Sequence, residues 1–176
     1  MRYVARAGSC VLLWVLAMAS GVEAQETPYG AFVFRDSVTV PGSAARAFDA
    51  FVDVNAWWDH RFSETPARFF LEPKAGGGFW ELFDDQANGV RHAEVIYVQR
   101  PEILRMEGPL GLSGNAIHLV FTLEFAERED STLVVLETHG AGEVREGWPR
   151  LVQSVWHHFL AERYKPYVEG RLPDGR

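Results

Sequence analysis

Two carboxylates fall among apolar side chains. Asp36 shares one face of an alternating segment with Phe34 and Val38, and Glu81 shares one with Phe79 and Phe83. An acid on an apolar face is costly unless it is paired, wetted or put to use. Either residue could orient a ligand hydroxyl, or act as a general base with a histidine such as His139. Either could instead make a structural hydrogen bond or an ion pair with Arg68, Arg91 or Arg105. His158 and Glu162 stand at i, i+4, which suits a salt bridge or one half of a metal site. No second pair with ligand spacing occurs among His60, His92, His118 and His139, so neither a metal nor another cofactor is expected. There is no Gly-x-Ser-x-Gly elbow and no dinucleotide fingerprint, and Gly76-Gly77-Gly78 lacks the Lys and Ser or Thr of a phosphate loop. No residue is therefore assigned a catalytic role.

The elements that would position these residues are mostly short strands. Phe32, Phe34, Val38 and Val40 alternate with Val33, Arg35, Ser37 and Thr39, the pattern of a strand with one buried face. Pro41-Gly42-Ser43 ends it. Ser43 can cap a short helix whose inner side is Ala47, Phe48 and Phe51, and a further helical turn would carry Trp57-Trp58-Asp59. Trp57 reads as core, while Trp58 is open to stacking on a flat ligand. Strand patterns then cover residues 68–71, 78–83, 91–98, 103–107, 116–126 and 132–139, divided by turns such as Asn88-Gly89 and Arg100-Pro101. One long helix follows, from Trp148 to Tyr164, with Trp148, Leu151, Val152, Val155 and Phe159 as its apolar stripe. Pro149 suits its first turn, and Pro166 is expected to stop it.

At 176 residues, 47% hydrophobic and 23% charged, the chain has the composition and length of one globular domain. Its start reads differently: Arg2 and Arg6, an apolar run from Cys10 to Ala19, then Val22-Glu23-Ala24 with small residues at the two positions a signal peptidase reads. The run is too short to span a bilayer. Residues 1–24 are thus expected to be a cleaved signal peptide, 25–30 a short leader, 31–170 the domain and 171–176 a tail, in an exported protein, periplasmic or secreted, with no stable membrane insertion. Cys10 is the only cysteine, so the mature domain would rely on its core with no disulfide. A net charge of −7 without a basic cluster argues against nucleic acid as a partner.

The order of these elements carries a family likeness. Trp57-Trp58 follows the first helices, Gly76-Gly77-Gly78 enters a strand, Pro101 precedes Leu104, residues 132–136 lead to Thr138-His139-Gly140, and Gly147-Trp148 opens the last helix. In this the chain resembles the SRPBCC or START-like superfamily, and within it the branch homologous to the activator of the heat-shock ATPase. The resemblance implies an α+β helix-grip fold, a curved antiparallel sheet of about seven strands around a long C-terminal helix, with a ligand cavity between them. The implied wall comprises Phe34, Phe79, Phe83, Leu104, Met106, Leu119 and Phe121 from the strands and Val152, Val155 and Phe159 from the helix, with Asp36, Glu81 and Trp58 beside it. The implied partner is a small hydrophobic molecule such as a lipid, quinone, isoprenoid or polyketide-like compound. An enzyme of the same fold, or a protein-interaction module, is the alternative.

Export has a direct test. The intact mass of protein recovered from the periplasm or medium is expected to correspond to a chain beginning at Gln25; retention of Met1, or a lipid on Cys10, would contradict this.

Overall fold

The alternating segments become seven strands: β1 (Tyr29–Pro41), β2 (Arg68–Leu71), β3 (Gly78–Leu82), β4 (Gly89–Gln99), β5 (Ile103–Glu107), β6 (Ile117–Glu127) and β7 (Ser131–Glu143). They pair antiparallel throughout in the order β1-β7-β6-β5-β4-β3-β2. From β2 onward the sheet is a meander, and β1 closes it against β7. This computed structural model describes residues 29–171. The expected signal peptide, and all but the ends of the expected leader and tail, lie outside the described residues.

Between β1 and β2 come α1 (Ala44–Val52) and α2 (Val54–Trp57). Ser43 caps α1, its hydroxyl accepting from the Arg46 N–H at 3.3 Å. The second helix stops at Trp57 instead of carrying Trp58 and Asp59, because Trp58 is already extended. Its ring therefore swings toward the last helix.

That last helix covers the concave face of the sheet, but it does not end where Pro166 was expected to end it. An α-helical part, α3 (Trp148–His157), passes through π-helical turns (His158–Tyr164) into α4 (Lys165–Val168). In the widened turns the Lys165 N–H reaches back five residues to Leu160 O. A proline breaks an α-helix because it lacks one N–H and crowds the carbonyl four residues back; the wider turn relieves both demands, so the chain runs on through Pro166. The buried face is also rotated from the expected stripe. Val152, Trp156, Phe159, Leu160 and Tyr164 are buried, whereas Leu151 is 51% exposed.

The far end of the helix is locked into an aromatic core. Trp57 lies 5.3 Å from Phe51 and 5.5 Å from Tyr164 between ring centroids. Its indole N–H is shared between Ala50 O and Phe51 O, at 3.0 and 3.2 Å. The Tyr164 hydroxyl donates to Ala47 O at 2.8 Å, and its burial drives the phenol pKa well above the ordinary value. Replacing a buried aromatic by alanine costs about 3–5 kcal/mol. Trp57→Ala is expected to lose stability of that order in denaturant unfolding; a loss under about 1 kcal/mol would show that this cluster does not hold the helix.

Candidate functional site

The N-terminal half of the last helix stands off the sheet and leaves a cavity of about 420 Å³. Val152, Val155, Trp156 and Phe159 form its helix wall, and Leu119 of β6 forms part of the sheet wall. The loop from β5 to β6 closes one side with Pro109 to Leu112, and the segment after α2 closes another with Trp58, His60, Arg61 and Phe62. His92 of β4 completes the lining. Most of this surface is apolar; the polar exceptions are His60, Arg61 and His92.

Local backbone geometry explains how the loop reaches the cavity. Gly108 has φ of +154°, and a Cβ there would lie 2.5 Å from His92 O, so only glycine lets the loop leave so close to β4. Leu110 takes φ of +48°, an uncommon conformation for a branched side chain, and in doing so buries its side chain against the core.

His92 reaches the interior through a β-bulge. Phe79 pairs with Ala93 and Trp80 with Arg91, which leaves His92 as the extra residue of β4. His92 and Ala93 are consecutive, yet both are buried. Behind the imidazole lies Glu81, fully buried. One carboxylate oxygen accepts the Ser63 N–H at 2.7 Å; the other accepts the Phe62 N–H at 3.0 Å and stands 3.0 Å from His92 Nε2. The arginines considered from sequence are engaged elsewhere: Arg68 lies over Phe70, Arg91 pairs with Glu94 and Arg105 bonds Thr122. His139 is exposed on the outer face of β7, paired with Glu137, and so cannot join Glu81 in acid–base work. Burial holds the His92 pKa below the ordinary histidine value, against the opposing hydrogen bond and charge of Glu81.

A second polar cluster sits at the rim. His158 Nε2 meets Asp59 at 2.8 Å, and its Nδ1 meets Glu162 at 2.8 Å. Asp59 also meets His60 Nδ1 at 2.9 Å and Arg163 Nε at 3.3 Å. The i, i+4 pair read from sequence is thus half of a larger network tying the segment after α2 to the helix. Asp59, His60 and His158 present ligand atoms within 4.8 Å of one another, so among the described residues these could hold a metal, although their atoms already satisfy one another by hydrogen bonding. Partial burial opposes charge on both His158 and Asp59. Hydrogen bonding to Glu162 and Asp59 outweighs it for His158 and raises that pKa; bonding from His158 and His60 outweighs it for Asp59 and lowers that one.

Of the residues singled out from sequence, Trp58, Leu119, Val152, Val155 and Phe159 meet at the cavity. Phe79 and Phe121 are buried one layer behind, packed edge-on to Trp58 at 4.9 Å and against Trp156 at 5.1 Å. Leu104 and Met106 are core, and Phe34 packs on the core from β1, its ring 6.4 Å from Phe32. Two lie elsewhere. Phe83 is 40% exposed because β3 ends at Leu82, before the alternation can turn it inward. Asp36 sits in a separate polar groove, where His157 Nδ1 meets it at 2.9 Å. His92 and Trp156 are cavity residues that strand alternation and the helix stripe did not single out. Trp156 lay only one position from Val155 in that stripe. Among the described residues, Trp156 Nε1 and Thr138 Oγ1 are buried polar side-chain atoms without a hydrogen-bond partner.

No family model matches the chain, and no curated protein matches it. Solved structures do. CalU16 from Micromonospora echinospora is 17% identical with a TM-score of 0.54, over 85% of this chain and 88% of that one. SA2116 from Staphylococcus aureus, a protein of unknown function, is 14% identical with a TM-score of 0.57, over 81% and 96%. A truncated norcoclaurine synthase from Thalictrum flavum is 12% identical with a TM-score of 0.51, over 82% and 98%. At these identities the likeness is one of fold, and the fold is the helix-grip architecture: seven antiparallel strands around a C-terminal helix.

His92 and His158 should respond to pH in opposite senses. The His158 network contributes fully below the unfolded value of about 6.5 and is lost as pH rises through the raised folded value. For His92 the contribution is full above about 6.5 and is lost as pH falls through the lowered folded value. NMR titration is expected to place the His92 midpoint below, and the His158 midpoint above, that of an unstructured histidine. Coincident midpoints would contradict both environments.

Proposed function

We propose that this chain binds a small, mostly apolar molecule in the cavity between the sheet and the C-terminal helix. The observation that carries this reading is the cavity itself. Protein interiors are ordinarily close-packed, yet here about 420 Å³ is left beside Trp58, Val155 and Trp156. That is within the range of sites for small ligands, roughly 300–1,000 Å³. A lipid, quinone, isoprenoid or polyketide-like compound suits a lining of this kind. A norcoclaurine synthase of similar fold is known in complex with a transition state analogue, which supports the fold's capacity to hold a small molecule. We further infer that the protein works after export, on the strength of the leader pattern in residues 1–24. Assignment to the heat-shock activator branch rests on the order of motifs such as Trp57-Trp58 and Gly147-Trp148.

Acid–base chemistry on the bound molecule is the second reading. What favours it is the buried Glu81–His92 pair at the cavity wall, a carboxylate set to support an imidazole. Turnover of a bound compound, lost in His92→Gln with binding intact, would promote this reading over simple carriage.

Filling the cavity tests the leading reading. Val155 is on its helix wall and only half-buried. Extra bulk in a filled core costs about 1–3 kcal/mol, whereas extra bulk in a void costs little. Val155→Trp is expected to melt near the parent temperature and to lose saturable binding of an environment-sensitive apolar dye that the parent binds. Marked destabilisation, with no saturable dye binding by the parent, would remove the basis for a ligand site.

A further inference from the structure

Resting on the ligand-binding reading above, the inference concerns what kind of molecule the cavity selects. Glu81 has both oxygens occupied by backbone N–H groups, from Ser63 and Phe62, and those groups can only donate. The His92 contact at 3.0 Å is then completed by an imidazole N–H on Nε2. A neutral imidazole with its proton on Nε2 keeps a lone pair on Nδ1. That nitrogen makes no hydrogen bond with any described residue. Nor is it one of the polar atoms sealed away without a partner. It belongs to a residue that lines the cavity. The bulge at His92 and the three donors around Glu81 therefore present an acceptor nitrogen from a buried residue to a mostly apolar space, whose other polar lining residues are His60 and Arg61.

We propose that His92 Nδ1 is the specificity-determining acceptor of the cavity, and that the ligand class is an apolar molecule carrying a hydroxyl, an alcohol or phenol, whose O–H is donated to it. An ether or hydrocarbon of the same shape would leave the nitrogen unmet inside the cavity, which is the usual origin of discrimination by a buried polar group. Glu81 acts as a positioning residue: its carboxylate holds the proton on Nε2 and so keeps Nδ1 an acceptor.

The test uses two probes of nearly equal shape, 1-naphthol and 1-methoxynaphthalene, on the mature chain labelled with ¹⁵N-histidine. The free protein is expected to show His92 with an unprotonated, pyridine-type Nδ1 and a protonated Nε2, and the Nδ1 resonance should move on adding 1-naphthol but not the ether. The naphthol should bind about three- to tenfold more tightly than the ether, the range expected of one net hydrogen bond. His92→Phe, which keeps a flat ring without the acceptor, should bind both probes alike. A protonated Nδ1, or equal binding of the two probes by the parent, would overturn this inference while leaving a ligand cavity in place. Failure of the parent to bind either probe would sink the ligand-binding reading and this inference with it. The parent's tautomer and its probe preference decide the matter even if His92→Phe does not fold.

Discussion

The long C-terminal helix has to remove Trp156, Phe159, Leu160 and Tyr164 from water, and the concave face of the sheet is the surface that receives them. The helix is held unevenly. At its far end Tyr164 donates to Ala47 O, Arg163 to Trp57 O and Tyr167 to Asp53, so the π-helical turns and α4 are fixed against α1 and α2. At its near end Leu151 faces solvent and Val155 is only half-buried. One end is clamped and the other is spaced, and the cavity occupies the space. The widened turns let the apolar face remain in contact with the aromatic core while the helix continues past Pro166.

The buried carboxylate of Glu81 imposes a second constraint. A charge without water needs donors, and Glu81 takes them from three places: two backbone groups in the segment after α2 and the imidazole on the β4 bulge. One side chain thereby joins β3, β4 and the segment that carries Trp58, His60 and Phe62 to the cavity. Breaking such a buried network by removing one partner commonly costs about 3–5 kcal/mol, because the remaining groups stay buried and unmet. A group this expensive to bury is a structural tie by necessity. It also sets which nitrogen of His92 is left for a ligand.

The rim network works on the same segment from the outside. Asp59 and His60 are chain neighbours of Trp58, and His158 is the neighbour of Phe159 on the helix. Trp58 and Phe159 stack with centroids 3.8 Å apart, so the polar network and the aromatic stack fasten the same two elements at the same place. These side chains are partly exposed, so each pair alone contributes modestly in water. Their effect comes from holding the segment after α2 where Trp58 can close the cavity.

The amino-acid sequence by itself determined the element order, because alternation and helical spacing are local properties of the chain. Strands β2 and β5 coincide with their expected runs, and the remaining boundaries shift by a few residues. Five of the thirteen residues named in advance for the cavity, Trp58, Leu119, Val152, Val155 and Phe159, do line it. The rest required the fold. Alternation through Ala93 and Val95 would turn His92 outward, and only its pairing across from β3 shows that a bulge turns it in. Pro166 reads as a stop because the π-helical turns that accommodate it depend on the aromatic core packed against them. Asp59, His60 and His158 come together across 99 residues of chain separation, a distance at which spacing along the sequence carries no geometric information. Which polar groups meet was decided by tertiary pairing, since a buried donor or acceptor takes its partner from whatever the packed elements bring within about 3 Å.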